Sequence, residues 1–249
     1  MNLQDIGWTP EFSSIHLTFA SSATPARISR VEQGRCEILT EAGLCWARWR
    51  APLSTVMEDE AVPLPVVGDW CVVRADPGGG EPLVEALLPR RGIIRRGHAS
   101  GARAEQLLAV HVDMAFLVSA LDGELNVNRV ERYLLLARHG GVRPVLLLNK
   151  ADRVQGDPRR WEVLGRLAPD LAIHRVSALH GEGLGGLRQE LSAGQTAVFL
   201  GSSGVGKSTL VNALLGAGRQ RTRGTRAGDG KGRHTTTWRE LFPLPGGGA

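Results

Sequence analysis

The sequence predicts an α/β fold in which a small β-barrel precedes a parallel sheet with flanking helices. Two apolar runs in the second half, MAFLVSAL and RPVLLLN, lack the alternation of a half-solvated strand and are typical of parallel strands covered on both faces. A helical pattern separates them, and strands that alternate with helices imply right-handed crossovers. Before residue 90, short β-rich pieces are separated by Gly, Pro and acidic turns, which is typical of a small barrel.

The composition is that of a globular protein, with 42% hydrophobic and 22% charged residues in 249. The net charge of +5 is a mild basic excess, which is compatible with an anionic partner such as nucleic acid. The chain opens without a signal-peptide pattern and has no apolar run of membrane-spanning length, so we expect a cytoplasmic protein with no membrane partner. Cys36, Cys45 and Cys71 form no C-x-x-C pair, and we expect small buried side chains in a reducing compartment.

We divide the chain into a barrel at 1–89, a basic linker at 90–105 and an α/β domain at 106–249. The barrel pieces are ARISRV, RCEIL, GLCWARWR and GDWCVVR. In the third piece, alternation puts Trp46, Arg48 and Arg50 on one face. An aromatic ring beside two guanidiniums suits stacking and phosphate contacts with RNA, although a core tryptophan beside solvated arginines explains the pattern equally well.

The linker carries five arginines before its first acid, Glu105. A solvated linker is the favoured interpretation, and a phosphate-contacting joint between domains is the alternative. Either way we expect these side chains to add to RNA attraction. The RNA-binding candidates in this stretch are Arg90, Arg91, Arg95 and Arg96.

Within the α/β domain, apolar residues from Val127 to Ala137 recur on one side of a helix that Gly140 and Gly141 end. Asp157 and Pro158 are typical of another helix start. The segment LAIHRVS predicts a strand, LGGLRQEL a helix and TAVFL a further strand.

A phosphate-binding loop follows that last strand. The pattern Gly-x-x-x-x-Gly-Lys-Ser lies between an apolar strand and the helix-forming STLVNALLG, which is the context that this motif requires. Backbone N–H groups and the helix dipole would hold the phosphates, Lys207 would reach the β- and γ-oxygens, and Ser208 would hold Mg²⁺. The predicted nucleotide contacts are Gly201, Ser202, Ser203, Gly204, Val205, Gly206, Lys207, Ser208 and Thr209.

The stretch NKAD identifies the base. The carboxylate of Asp152 can accept from the N1–H and N2–H₂ groups of guanine together, and adenine has no such donor pair. Asn149 would touch the base edge while it holds the neighbouring loop, and the stem of Lys150 would lie on the ring. The motif follows a predicted strand directly, at the carboxyl edge where α/β sheets bind nucleotides. At the next strand end, the backbone of Ser177, Ala178 and Leu179 would meet the guanine O6.

The two motifs stand in an unusual order, because the base-reading half precedes the phosphate-reading half. A doubly wound sheet can be cut at one loop and rejoined at another while every strand end keeps its place. The sequence therefore predicts one guanine-nucleotide site built by a permuted chain.

In this order, the segments VDMAFLVSALDGELNVNRVERYLLLARHGGVRPVLLLNKAD, SAL, FLGSSGVGKSTLVNALLG and GRHTTTWREL closely resemble the ribosome small-subunit-dependent GTPases, a circularly permuted GTPase family of bacteria. VVGDW and EALLPRRGIIRRG are similar to the end of that family's OB-fold barrel. The resemblance implies an OB fold followed by a circularly permuted P-loop GTPase domain, and hydrolysis of GTP to GDP that the 30S subunit stimulates. It also implies binding to that subunit through 16S rRNA; we expect a monomer.

The family resemblance makes RQRTRGTRAGDGKGRHTTT a switch segment, in which Thr235 or Thr236 would close over Mg²⁺, and the position after GR-His favours Thr235. His234 could orient the attacking water, or it could be a solvated residue or an RNA contact. The family's Asp-x-Pro-Gly motif and carboxyl-terminal zinc domain are not found in these 249 residues, so we expect a GTPase domain incomplete at its C-terminus and zinc only in the missing domain.

Two functions remain open from the sequence alone. The first is a GTPase that acts in late maturation of the small subunit. The second is a GTP-binding and RNA-binding module that does not hydrolyse GTP. An ATP-dependent kinase is disfavoured by Asp152.

Overall fold

The computed structural model describes residues 1–20, 22–50, 54–55, 64–96, 106–122, 126–154, 162–216 and 239–249. The chain divides into two compact units. The barrel unit comprises Met1–Val112, Ala193–Thr196 and Thr236–Ala249, and the sheet unit comprises Asp113–Ser192 and Ala197–Thr235.

The barrel unit opens with a 3-10 helix at Leu3–Ile6 and a short helix, α1, at Pro10–His16. Thr9 caps α1 by accepting from the Phe12 N–H, and Pro10 stands at the first helical position, where its missing N–H costs nothing. The strands are β1 Ala23–Glu32, β2 Arg35–Thr40, β3 Gly43–Arg48, β4 Ser54–Thr55, β5 Trp70–Arg74, β6 Leu83–Leu87, β7 Ile94–Arg96 and β8 Gln106–Ala109.

Five of these strands close into a barrel. The sheet order is β3-β2-β1-β5-β6-β4, and a parallel contact between Arg48 of β3 and Leu83 of β6 joins the two sides. Apolar side chains fill the interior, among them Ala26, Ile28 and Ala47, which are fully buried. A five-stranded Greek-key barrel of this kind is an OB fold, as the sequence predicts.

Charged groups are also buried in the barrel unit. Arg27 has no exposed surface; its guanidinium donates to the carbonyls of Ile6, Gly68 and His111. Asp69, likewise unexposed, accepts two hydrogen bonds from Arg90, at 2.7 and 2.6 Å. These bonds fasten the segments around the barrel to its strands.

The sheet unit contains β9 Met114–Ala120, β10 Arg143–Asn149, β11 Ala172–Arg175 and β12 Ala197–Gly201. All pairings are parallel, in the order β11-β10-β9-β12. The described helical segments are α2 Val127–His139, a 3-10 helix at Ala151–Arg153, α3 Glu162–Leu167, α4 Leu184–Glu190 and α5 Lys207–Leu215. The strand and helix types match the sequence predictions, and the predicted helix start at Asp157–Pro158 lies outside the described residues.

Two details of the barrel differ from the sequence-based expectations. Part of the basic stretch is ordered structure, because β7 pairs antiparallel with β8. Cys36 and Cys71 are buried as expected, but Cys45 is exposed. The reason is that β3 meets β6 only at Arg48, so the first half of β3 has β2 as its described neighbour. None of the described helices has the length and apolar character that crossing a membrane requires.

Candidate functional site: a guanine-nucleotide site at the carboxyl edge of the parallel sheet

The phosphate-loop pattern occupies the turn between β12 and α5. Gly204 and Gly206 adopt positive φ angles of 80° and 98°, a conformation that glycine reaches without steric cost. A Cβ at Gly206 would also collide with the side-chain nitrogen of Asn149. Glycine is therefore required at position 206 both by the backbone and by the approach of the neighbouring motif.

Lys207, the first residue of α5, folds its side chain back over this turn. Its ammonium donates to the carbonyls of Gly201, at 2.8 Å, and Ser202, at 2.6 Å. Burial lowers the pKa of Lys207 from its ordinary value, because the protonated form loses water contacts. The positive charge is thus held at the loop where phosphate oxygens would bind. Ser208 and Thr209 follow on the first turn of α5, and Ser203 is exposed in the loop.

Asn149 joins three segments of the site. It is the last residue of β10 and only 2% exposed. Its amide nitrogen donates to the carbonyl of Val205 in the phosphate loop, at 2.8 Å, and its amide oxygen accepts from the backbone N–H of Ala178, at 3.1 Å. Both ends of this side chain are therefore used to hold loops, which agrees with the loop-holding half of the predicted role.

Lys150 has a left-handed backbone, with φ of 63°, which is uncommon for a residue other than glycine. Its ammonium bonds to the carboxylate of Asp122, at 2.7 Å. Asp122 follows the end of β9, so a residue outside the two motifs fixes the direction of the lysine stem. The sequence reasoning did not single out Asp122, although its position after an apolar parallel strand was a usable signal.

Asp152 lies two residues beyond Lys150, in the short 3-10 helix. Its carboxylate accepts from the hydroxyl of Ser177, at 2.6 Å, and the imidazole of His180 is 3.7 Å away. The Ser177 hydrogen bond is the main reason why the pKa of Asp152 is lowered from its ordinary value. The carboxylate is therefore ionised at neutral pH, as an acceptor for two donors of a base must be.

The third segment, after β11, presents backbone to the same edge. Ser177 is fully buried, and its N–H and carbonyl bond to Glu182 and Gly181 in a tight turn. The backbone N–H of Ala178 is held by Asn149. Leu179 is 66% exposed, so it offers an apolar side chain to solvent two residues after Ser177.

These contacts bring together most of the predicted nucleotide residues. The base motif, the loop at Ser177 and the phosphate loop are linked by direct hydrogen bonds through Asn149 and Asp152. Thr235 and His234 fall within 217–238, outside the described residues, so their roles stay predictions.

The predicted RNA face lies on the outside of the barrel. Trp46 is half-buried, with the guanidinium of Arg35 at 4.4 Å from its ring centre and that of Arg30 at 5.9 Å. Arg48 is exposed and pairs with Asp76, at 3.0 Å, and Arg50 is exposed. The expected alternation is present, because Ala47 between Trp46 and Arg48 is buried in the core.

The arginines of the basic stretch differ among themselves. Arg90 is almost buried against Asp69, so its guanidinium serves the barrel fold. Arg91 lies over the ring of Phe12, at 5.3 Å. Arg95 and Arg96 are exposed on β7. Arg91, Arg95 and Arg96 are all exposed, so among the candidates in this stretch Arg90 is the one whose charge is withdrawn into the fold.

The sheet unit combines a parallel sheet with a glycine-rich phosphate loop, and its base-reading motif comes earlier in the chain. These features define a P-loop GTPase domain of circularly permuted order. The comparisons with known proteins agree. The sequence model described as RsgA GTPase matches residues 87–249. The chain belongs to the RsgA GTPase family.

Its relatives include proteins named Small ribosomal subunit biogenesis GTPase RsgA. The one from Opitutus terrae is 41% identical, over 99% of this chain and 70% of its own length. The one from Methanosarcina acetivorans is 38% identical, over 97% of this chain and 64% of its own length. The crystal structure of YjeQ from Thermotoga maritima shares the fold, with a TM-score of 0.59 and 22% identity, over 77% of this chain and 64% of that one. The chain thus spans about two thirds of the length of these relatives.

Proposed function

We propose that this protein is a GTPase that binds the small ribosomal subunit and acts in its late maturation, hydrolysing GTP to GDP and phosphate. The contact of Asn149 with both the phosphate loop and the Ser177 loop carries the proposal for the nucleotide. One amide fixes the spacing between a base-reading carboxylate and a phosphate-reading ammonium, which is what a single bound guanine nucleotide needs. The names of the relatives support the ribosomal role.

The residues divide into a base end and a phosphate end. At the base end, Asp152 would accept from guanine N1–H and N2–H₂, while the stem of Lys150 and the exposed Leu179 would flank the ring. Backbone N–H groups of the Ser177–Leu179 loop would meet the O6 of guanine, and the N–H of Ala178 would share its proton between O6 and the Asn149 oxygen to which it now donates. At the phosphate end, Lys207 would exchange its two carbonyl partners for β- and γ-phosphate oxygens.

A divalent cation fits the phosphate end. Ser208 follows Lys207 on the first turn of α5, so its hydroxyl would be a ligand of Mg²⁺, with Thr235 as the second protein ligand. When bound, Mg²⁺ neutralises charge that develops on the transferred phosphoryl group. His234 would orient the attacking water in this proposal.

The barrel unit would supply the RNA contacts. The face around Trp46, Arg48 and Arg50 and the exposed Arg95 and Arg96 combine an aromatic ring with positive charge, which suits single-stranded or looped 16S rRNA of the 30S subunit. We keep 1–89, 90–105 and 106–249 as the functional division of the chain, although the compact barrel unit extends to Val112 and includes Ala193–Thr196 and Thr236–Ala249, and we propose a cytoplasmic monomer.

Two measurements test this function. Equilibrium titration with GTP, GDP and ATP should show tighter binding of both guanine nucleotides than of ATP, and Lys207→Ala should weaken all phosphate-dependent binding. Phosphate release over many turnovers should rise when small subunits are added. If GTP binds but is not turned over with small subunits present, the protein is the non-hydrolysing RNA-binding module instead. If ATP binds more tightly than GTP, the assignment of the base end is wrong.

A further inference from the structure

A small cleft opens beside the phosphate loop within the sheet unit. It lies between the end of β9, the start of α2 and the loop itself, and its lining includes Ser119, Asp122, Asn126, Arg129, Ser202 and Val205. Asp122, Asn126 and Arg129 lie outside both nucleotide motifs. The cleft therefore raises the question of what the first turn of α2 contributes to the site.

The N-cap residue of α2 orients the first turn of this helix toward the phosphate loop. Asn126 is the N-cap residue, and its side-chain oxygen accepts from the backbone N–H of Arg129, at 2.9 Å. This fixes Arg129 in the first turn, three residues from the cap. Val130, next along the helix, is buried against the sheet. The base of the arginine side chain is thus held by a capped and packed helix.

Arg129 contacts the second residue of the phosphate loop. Its guanidinium nitrogen Nη1 donates to the hydroxyl of Ser202, at 2.7 Å. A hydrogen bond with an ionised donor is shorter and stronger than one between neutral groups. Ser202 is also held from the other side, because its carbonyl accepts from Lys207, at 2.6 Å. Two cations therefore contact one residue of the loop at two different atoms.

These two contacts should behave differently when a nucleotide binds. Under the proposed function, Lys207 leaves the carbonyl of Ser202 for phosphate oxygens, so the loop loses that support. The contact from Arg129 to the Ser202 hydroxyl involves no atom that a phosphate needs. It can persist and keep the loop in shape while Lys207 changes partners.

We propose that Arg129 is a positioning residue of the nucleotide site, which holds the phosphate loop through the Ser202 hydroxyl and so strengthens binding of GTP and GDP alike. This rests on the proposed guanine-nucleotide binding. Arg129 acts on the loop and not on the reacting phosphoryl group. Its removal should weaken binding and leave turnover at saturating GTP unchanged.

The test is a double-mutant cycle on nucleotide binding. Arg129→Ala should raise the dissociation constants for GTP and GDP by about fivefold each, the size expected for one partly exposed hydrogen bond. Ser202→Ala should give a similar rise. The double variant should show about the same fivefold rise and not their product, because both changes remove one contact. Arg129→Lys, which keeps a donor, should recover part of the affinity.

The matched control is Arg138→Ala, which removes an arginine from the last turn of α2, where it pairs with Asp170. It should leave both dissociation constants unchanged. The proposal would be overturned if Arg129→Ala bound nucleotide with wild-type affinity. It would also be overturned if the rise in the dissociation constant of the double variant equalled the product of the two single rises. Neither result would contradict GTP binding itself. If Arg129→Ala lowered only the turnover of GTP, the proposal would also be overturned, because the guanidinium would then act on the reaction and not on binding. Absence of guanine-nucleotide binding in the wild type removes the proposed function and this inference together.

Discussion

The two units bury polar side chains for different purposes. Among the described residues, the buried polar or charged side chains of the barrel unit are Arg27, Ser29, Thr40, Asp69, His111 and Thr196, whereas those of the sheet unit are Asn149 and Ser177. In the barrel unit, charged groups bond to one another and to backbone carbonyls of neighbouring segments. In the sheet unit, both buried polar residues stand where strands end, at the candidate site.

This difference follows from how each core is closed. The parallel strands of the sheet unit pair with one another along Met114–Ala120 and Arg143–Asn149, so their interior needs only apolar side chains. A small barrel offers less apolar surface to hold its surrounding segments. Buried hydrogen bonds from Arg27 and Arg90 hold those segments instead. Buried polar groups hold together the loops of the candidate site in the sheet unit, and they hold the segments around the barrel in the barrel unit.

The largest effect should come from breaking the barrel unit's buried ion pair. Arg90→Ala leaves the unexposed carboxyl of Asp69 without its guanidinium, and we expect a loss of about 3–5 kcal/mol in the free energy of unfolding. Burial raises the pKa of Asp69, and Arg90 opposes that rise, so the carboxyl of the variant should take up a proton on folding. Denaturant unfolding monitored by the intrinsic tryptophan fluorescence of the protein measures the loss.

The control for this comparison is Arg74→Ala, which breaks a more exposed pair with Glu85 in the same unit. Exposed pairs contribute about 1 kcal/mol or less, so the barrel should lose little stability. Equal losses in the two variants would contradict the structural role that we give to Arg90.

The next largest effect should be a change of base preference at the sheet unit. Asp152→Asn replaces one accepting carboxylate oxygen by a donating amide nitrogen, which would face a donor of guanine. We expect this mismatch to cost about 2–3 kcal/mol of binding free energy, so guanine nucleotides should bind about 100-fold more weakly. Xanthine nucleotides, with a carbonyl at C2, should bind more tightly than in the wild type. An amide oxygen can still accept from Ser177, which preserves the local fold.

Calorimetric titration with GDP and xanthosine diphosphate measures this exchange, with Asp170→Asn as the control at an exposed carboxylate that pairs with Arg138. Unchanged GDP affinity in Asp152→Asn would show that this carboxylate does not read the base.

The share of the structure that could be predicted from the sequence also differs between the two units. The apolar strands and the phosphate-loop helix of the sheet unit were predictable, because periodicity and glycine spacing are local signals. The bridge that Asn149 makes to Val205 joins residues 56 positions apart. The pairing of Arg90 with Asp69 spans 21 positions and involves residue types that sequence patterns treat as solvated. The base motif predicted that Asn149 holds the neighbouring loop, but it did not identify Val205 as the partner. No local pattern indicated that Arg90 is nearly buried against Asp69.

A smaller effect should follow from removing the bridge itself. Asn149→Ala leaves the carbonyl of Val205 and the N–H of Ala178 without this partner, and we expect a loss of about 1–3 kcal/mol in the free energy of unfolding of the sheet unit. GDP affinity should fall about tenfold, because the loops would no longer be fixed at the spacing of one nucleotide.

Asn128→Ala, at an exposed position of α2, is the control and should leave GDP binding and stability nearly unchanged. If Asn149→Ala binds GDP as the wild type does, the bridge does not organise the site.

The smallest effect concerns the pH dependence of the barrel unit. His111 is 4% exposed, adopts a positive φ of 55°, and packs edge-on against Phe12. Burial lowers the pKa of His111 well below its ordinary value, and the charges of Arg27, Arg91 and Arg90 lower it further. The folded state thus keeps a neutral imidazole while the unfolded chain binds a proton below about pH 6.5. Stability should be constant above that pH and fall below it, by about 1.4 kcal/mol at pH 5.5 from this group.

His111→Asn should remove this part of the pH dependence, since asparagine tolerates the left-handed backbone and does not titrate. Denaturant unfolding of both proteins between pH 8 and 5.5, again followed by intrinsic tryptophan fluorescence, measures the difference. The two curves should run parallel above pH 7 and converge as the pH falls, because only the wild type loses stability through this imidazole. Curves that stay parallel down to pH 5.5 would mean that His111 is protonated in the folded barrel. The barrel unit would then tolerate a further buried charge. That result would contradict the role in fold maintenance that we give to the buried polar groups of this unit and not to those of the sheet unit.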